Sequence, residues 1–211
     1  MVITGIRKRP RERNRYEVML DAKPSLQVSE VLLAKRGLYT GKTIDEETYN
    51  TLLIEDSRER AHQLSVNFIS YRPRSSKEVS DKLSRKGFGA EIIHDVMTRL
   101  RDLGLLNDLE FARMFVRDKL RGKPMGRALL RRKLLDKGIS FQATDLVVRE
   151  YVTDENELEA ATELAARKYK TSRARFDKLA PAMRQKRLAD YLLNRGFSAE
   201  VAYKTARSII R

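Results

Sequence analysis

Arg127 and Arg131 stand one helical turn apart, and Lys123, Arg132 and Lys133 crowd the same short stretch. Residues four apart share a helix face. Here that face lies largely away from the apolar Leu130 and Leu134, so it is a dense cationic surface. Its chemistry is that of gripping an anion. Two further groupings resemble it. Arg72, Arg74 and Lys77 flank a proline-stiffened helix start, where backbone N–H groups can also face an anion. Arg173, Arg175, Arg184 and Arg187 form the third. A solvated face explains any one run equally well, but three runs in corresponding places favour a positive groove for an extended polyanion. Tyr71, Phe115, Tyr169 and Phe176 lie close enough to stack bases, although aromatics at helical spacing more often belong to a core.

Groups that would transform a ligand are scarce. The chain has two histidines, His62 and His94, and no cysteine. Neither H-x-x-x-H nor H-E-x-x-H spacing occurs, which argues against a zinc site. Gly122-Lys-Pro-Met-Gly126 has neither the length nor the terminal Lys-Ser/Thr of a phosphate-binding loop, and there is no G-x-S-x-G elbow. Acids at 45–47 and 154–159 open helices, where carboxylates ordinarily answer the helix dipole. The expectation is a binding protein rather than an enzyme, with no cofactor and no metal.

Composition agrees. A formal charge of +15 over 211 residues repels itself and usually answers a polyanion such as nucleic acid. The positive charge is clustered at residues 1–15, 72–86, 113–137 and 166–187, while 45–59 and 150–163 are acidic. The absence of cysteine suits a reducing compartment. No apolar run approaches the roughly 18 residues that span a bilayer. Met1 to Ile6 precede rather than follow the first cations, the reverse of a secretory signal. These features imply a cytoplasmic protein without a membrane segment. The lack of a long heptad pattern points to a monomer.

The elements that must position the cations recur. Lys82-Leu-Ser-Arg-Lys-Gly-Phe88, Lys133-Leu-Leu-Asp-Lys-Gly-Ile139 and Asp190-Tyr-Leu-Leu-Asn-Arg-Gly-Phe197 each end a helix on a basic residue and a glycine. The base suits the negative end of the dipole, glycine supplies the left-handed turn, and the next apolar residue packs back. Gly89, Ser140 and Ser198 then precede the next helix, as N-caps do. Those helices carry Ile92, Ile93, Val96, Leu100 and Leu103; Leu146, Val147 and Val148; and Val201, Ala202, Thr205 and Ile209. A helix also precedes each unit (58–69, 109–120 and 158–168), joined to it by a basic connector. Ser75 and Glu78 make a capping box at the first. The fold expected is mainly α: three tandem three-helix repeats, 58–107, 108–155 and 156–211, in an elongated, curved array.

Residues 1–57 read differently. Tyr16, Val18 and Leu20 alternate as in a half-buried strand, and Leu26 with Val28 can return as the second arm of a β-hairpin. Ser29 can cap a short helix from Glu30 to Gly37, and Thr43 or Asp45 can start one of some 25 residues to about Tyr71. The Arg7–Arg15 run reads as a mobile basic arm or loop.

Tyr71-Arg-Pro-Arg-Ser75, Glu78, Leu83, Lys86-Gly-Phe88, Leu100, Gly104-Leu-Leu-Asn-Asp108 and Phe111-Ala112 together resemble the signature of RecX, the bacterial regulator of the RecA recombinase. Gly126, Leu134 and Lys137-Gly-Ile139 resemble its second repeat. The likeness is specific over about 58–140 and looser beyond. Asn107-Asp108 stands where the family often has two acids, a departure expected to be neutral. The resemblance implies a non-catalytic protein that binds the groove of the RecA–single-stranded-DNA filament. It would damp ATP hydrolysis, strand exchange and the co-protease activity that triggers the SOS response, and some such proteins bind DNA directly, single- or double-stranded. The candidate filament- or DNA-binding residues are Arg72, Arg74, Lys77, Lys123, Arg127, Arg131, Arg132, Arg173, Arg175 and Arg184. The main alternative is a stand-alone basic repeat protein that binds nucleic acid without RecA. A helical protein–protein scaffold, which needs no surplus positive charge, ranks below it.

Overall fold

Residues 1–10 and 14–210 are described by a computed structural model. The alternating segment Arg15–Leu20 is strand β2, with β1 (Ile3–Lys8) and β3 (Leu26–Ser29) antiparallel on either side. Tyr16 pairs with Val28 and Val18 with Leu26, which is the expected hairpin. The mobile arm expected over Arg7–Arg15 is corrected: Arg7 and Lys8 end β1, and Arg15 opens β2. The rest of that run at 11–13 lies outside the described residues. β1 escaped a period-two reading because the register shifts between Ile3 and Gly5. One extra residue in a strand inverts the parity of the positions after it, so Ile3 and Ile6 oppose Leu20 and Val18 although three positions apart.

Ser29 accepts the Leu32 N–H and starts α1 (Glu30–Lys35). Asp45 accepts the Thr48 N–H and starts α2, a continuous 25-residue helix, Glu46–Ser70, that runs through 57 and 58. Ile3, Val18, Leu26, Val28, Leu32, Tyr49 and Leu52 close a core between the sheet and the first half of α2. The second half of α2 packs through Ala61 against α3 (Ser76–Arg85) and α4 (Ala90–Asp102), around Val79, Leu83, Val96 and Leu100.

The chain divides into two compact units: Met1–Arg74 with Val79–Leu106, and Ser75–Glu78 with Asn107–Arg211. In the second, α5 (Asp108–Arg121), α6 (Arg127–Asp136) and α7 (Phe141–Tyr151) enclose Phe111, Val116, Leu130, Leu134 and Val147. Then α8 (Asp154–Thr171), the single turn α9 (Arg173–Phe176), α10 (Pro181–Asn194) and α11 (Ala199–Ile209) enclose Leu164, Phe176, Leu188, Leu192 and Phe197.

The repeated glycines act as the sequence requires. Gly87, Gly138 and Gly196 have φ of 83°, 79° and 83°. In each the following residue donates its N–H back to the helix: Phe88 to Leu83 O, Ile139 to Leu134 O and Phe197 to Leu192 O, at 3.3, 3.1 and 3.2 Å. This is the doubly bonded left-handed cap, and the apolar residue it folds back seals the core end. Ser140 and Ser198 cap α7 and α11, while Gly89 precedes α4 without a side-chain bond. Two apolar positions depart from expectation. Leu103 is the C-cap of α4, and Leu146 lies off the α7 face that buries Thr144, Val147 and Val148; both are exposed. Among the described residues no helix is long and apolar enough to cross a membrane.

Candidate nucleic-acid interface

Helix α6 carries the densest candidate group, and the structure divides it. Arg127 is turned into its own unit. Its Nε donates to Val152 O at 2.9 Å and lies 3.3 Å from Glu157 Oε2, its Nη1 bonds Asp154 at 2.6 Å, and its backbone N–H donates to Glu157 Oε1 at 2.9 Å. Arg131 pairs with Asp145 at 2.8 Å, and Arg149 takes that carboxylate's other oxygen. Arg132 and Lys123 are exposed, with no protein carboxylate in bonding range among the described residues.

The helix start near Arg72 shows the same division. Ser75 and Glu78 form the reciprocal capping box: Glu78 N–H to Ser75 Oγ at 3.2 Å and Ser75 N–H to Glu78 Oε2 at 3.3 Å. The Ser76 N–H donates to Asp108 Oδ1 at 2.8 Å. An anion therefore does sit at this N-terminus, but the protein supplies it, as Glu157 does for α6. Asn107 accepts the Leu109 and Glu110 N–H groups and caps α5, so an amide does a carboxylate's work there. Arg74 stacks 3.9 Å from the Phe68 ring centre and donates to Phe68 O. Arg72 is exposed and donates to Pro73 O. Lys77 is exposed, its Nζ reaching Asp136 O at 3.1 Å.

In the third group, Arg184 closes its connector by donating to Leu179 O at 2.7 Å and Asp177 O at 2.9 Å. Arg173 is exposed and 3.7 Å from Asp177, whereas Arg175 and Arg187 point outward, unpaired among the described residues. Of the aromatics considered for stacking, Phe176 is core, and Tyr169 meets it edge to face. Phe115 stacks on Phe111, and Tyr71 is exposed.

Sequence reasoning passed over Arg117 and Arg121. They lie four apart on α5, both exposed, without a carboxylate partner among the described residues, and lead directly to Lys123. Their signal was present as an i, i+4 pair on the face opposite Ala112 and Val116. Arg113, one turn earlier, is engaged by Glu110 and Glu150, whose hydrogen bonds raise its pKa further. The outward cations of the second unit without an ion pair among the described residues therefore include Arg117, Arg121, Lys123, Arg132, Arg175 and Arg187. These cations can bind phosphate without breaking an internal pair. No group of three or more His, Asp or Glu side chains that could hold a metal occurs among the described residues.

Comparison with known proteins agrees with the helical parse. Residues 61–100, 107–143 and 154–205 match, in order, the first, second and third three-helix domains of RecX. A protein of Listeria monocytogenes named regulatory protein RecX is 32% identical over 206 residues, covering 98% of this chain and 74% of its own. One from Listeria welshimeri is 31% identical over 202 residues, 96% of this chain and 73% of its own. A crystal structure of regulatory protein RecX superposes with a TM-score of 0.77 at 24% identity over 98% of both chains, which speaks to the fold. RecX from Lactobacillus salivarius superposes with a TM-score of 0.65 at 25% identity over 74% of this chain and 97% of that one. Three domain matches in series, and relatives spanning nearly its whole length, make this chain a member of the RecX family of regulatory proteins.

Proposed function

We infer that the chain regulates RecA, chiefly as an inhibitor that binds the RecA–single-stranded-DNA filament and slows ATP turnover, strand exchange and co-protease activity. Family membership supports RecA as the partner. The observation that carries the mode of binding is the set of outward cations left after the internal pairs are made. Such cations suit a polyanionic target and need no catalytic group. The reading places the protein in the cytoplasm, in recombinational repair and the SOS response. Residues 58–107, 108–155 and 156–211 serve as its three repeats and 1–57 as a separate N-terminal region. Among the candidates named from the sequence, Lys123, Arg132 and Arg175, which make no ion pair among the described residues, are expected to meet the filament, together with the exposed Arg173, whose pair with Asp177 is long at 3.7 Å. Arg127, Arg131 and Arg184 hold the scaffold.

The test is a titration of this protein into its cognate RecA on single-stranded DNA, with ATP hydrolysis as readout. Substoichiometric protein is expected to lower the rate. Unchanged hydrolysis and strand exchange across the titration would show the reading to be wrong. Tight, salt-sensitive binding to bare DNA with no effect on RecA would favour the stand-alone nucleic-acid binder instead.

A further inference from the structure

The second unit contains one kind of contact twice. In each case the first turn of a helix following a basic connector docks on the glycine cap of another helix. The start of α3 sits on the end of α6: Lys77 Nζ donates to Asp136 O at 3.1 Å, and Lys137 Nζ pairs with Glu78 at 2.8 Å. A Cβ added to Gly138 would come within 2.6 Å of Lys77 Cβ. The start of α6 also sits on a glycine cap, the end of α10, but through its backbone and with its third helical residue over the glycine, where α3 uses side chains and its second. Gly126 N–H donates to Arg195 O at 2.9 Å, Ala128 N–H to Gly196 O at 3.0 Å, and Leu129 covers Gly196.

One half of each kind is left over. The cap Arg85-Lys86-Gly87 has the same left-handed geometry, with φ of 83° at Gly87, and among the described residues nothing lies within 4 Å of where its Cβ would be. The first turn of α10, which follows the third connector, presents Ala180, Pro181, Ala182 and the 55% exposed Met183 to solvent. It has no side-chain cap, and the Ala182 and Met183 N–H groups meet no acceptor among the described residues. Ala180 carries a Cβ, as Ser75 does, so the α3–α6 contact is the template. Ala182 then takes the place of Lys77 over the glycine, and Met183 takes the place of Glu78 beside Lys86.

The geometry points to a second copy of this chain as the partner of both surfaces, the α10 start of one copy docking on the Gly87 cap of the next. The occupant follows from continuity with an interface the chain already makes twice. Such a contact is heterologous, so it adds copies head to tail. A single cap contact is small and the copies repel at +15 each, so the contact is weak in dilute solution. It strengthens wherever copies are brought together. It requires neither nucleic acid nor RecA, so it stands or falls apart from the proposed function.

The chain's lack of cysteine gives a clean test. Lys86→Cys and Met183→Cys are made in separate full-length proteins, checked for helicity by circular dichroism, mixed and mildly oxidised. The expected product is the mixed disulfide dimer, several-fold above either homodimer. A mixed dimer no more abundant than random collision delivers would overturn the proposal. Sedimentation of two further variants gives an independent reading. Met183→Glu restores the carboxylate that Glu78 offers Lys137 and should tighten self-association about tenfold, while Met183→Arg, facing Lys86, should weaken it comparably. Identical behaviour of the Glu and Arg variants would equally defeat the idea.

Discussion

Glu157 is buried with both oxygens engaged, one on the Arg127 N–H and one near its guanidinium, so this acid and this base are parts of the scaffold. Removing one partner strands the other. Glu157→Ala is expected to cost about 2–4 kcal/mol, read as a lower denaturant midpoint. Arg132→Ala, at an exposed position unpaired among the described residues, should stay within about 0.5 kcal/mol and instead weaken polyanion binding. The sequence displayed both arginines as one cationic face and could not separate them. The carboxylates that engage Arg127 lie 27 and 30 positions away, and only the fold decides which carboxylate returns to which base. A second residue-scale prediction concerns His62. Burial first, then the positive charge of Arg99, lowers its pKa, with Glu59 opposing; its Nε2 has no partner among the described residues. The folded state therefore binds the proton less well than the unfolded chain. This contribution is complete above the unfolded value of 6.5 and is lost as pH falls through that value towards the lowered one. Melting temperature should drop between pH about 7.5 and about 5.5, and His62→Gln should flatten that drop.

At the scale of elements, local chemistry was legible and close approach was not. Gly87, Gly138 and Gly196 announce themselves because a base, a glycine and an apolar residue each satisfy a neighbour within the same turn. Ser29, Ser75, Asp45, Ser140 and Ser198 were equally readable as caps, their bonds being three residues long. Strand β1 was hidden by a bulge. The role of Gly126 was hidden by distance: its φ is an ordinary −78°, yet a Cβ there would strike the backbone of Gly196. Comparing glycines separates the two roles. Gly87→Ala meets open space and bears only the cost of the left-handed backbone, about 1–2 kcal/mol. Gly126→Ala has no backbone penalty but must push α6 off the cap of α10, expected to cost about 2–3 kcal/mol in urea unfolding. A Gly126→Ala variant as stable as the parent would mean that this close approach is not needed.

Over the whole molecule, a formal +15 does not state how many cations are available to a partner. Many are engaged internally: Arg15 with Asp56, Arg36 with Glu55, Arg58 with Asp95, and Arg127, Arg131 and Lys137 with the acids of the second unit. The acidic stretches at 45–59 and 150–163, which looked like compensation at a distance, supply several of these partners. The charge that binds is thus a subset, and salt dependence can count it, because each phosphate neutralised on a single strand contributes about 0.7 to the slope of log affinity against log salt. Arg117, Arg121 and Arg132 are outward and unpaired among the described residues, so replacing all three with Gln should reduce that slope by about 2 on single-stranded oligonucleotides. Arg127→Gln should leave the slope unchanged while lowering stability, since its guanidinium already has carboxylate partners. An unaltered slope in the triple variant would move the polyanion-binding surface away from α5 and α6. A slope lowered equally by Arg127→Gln would show that the internal pair opens to receive phosphate.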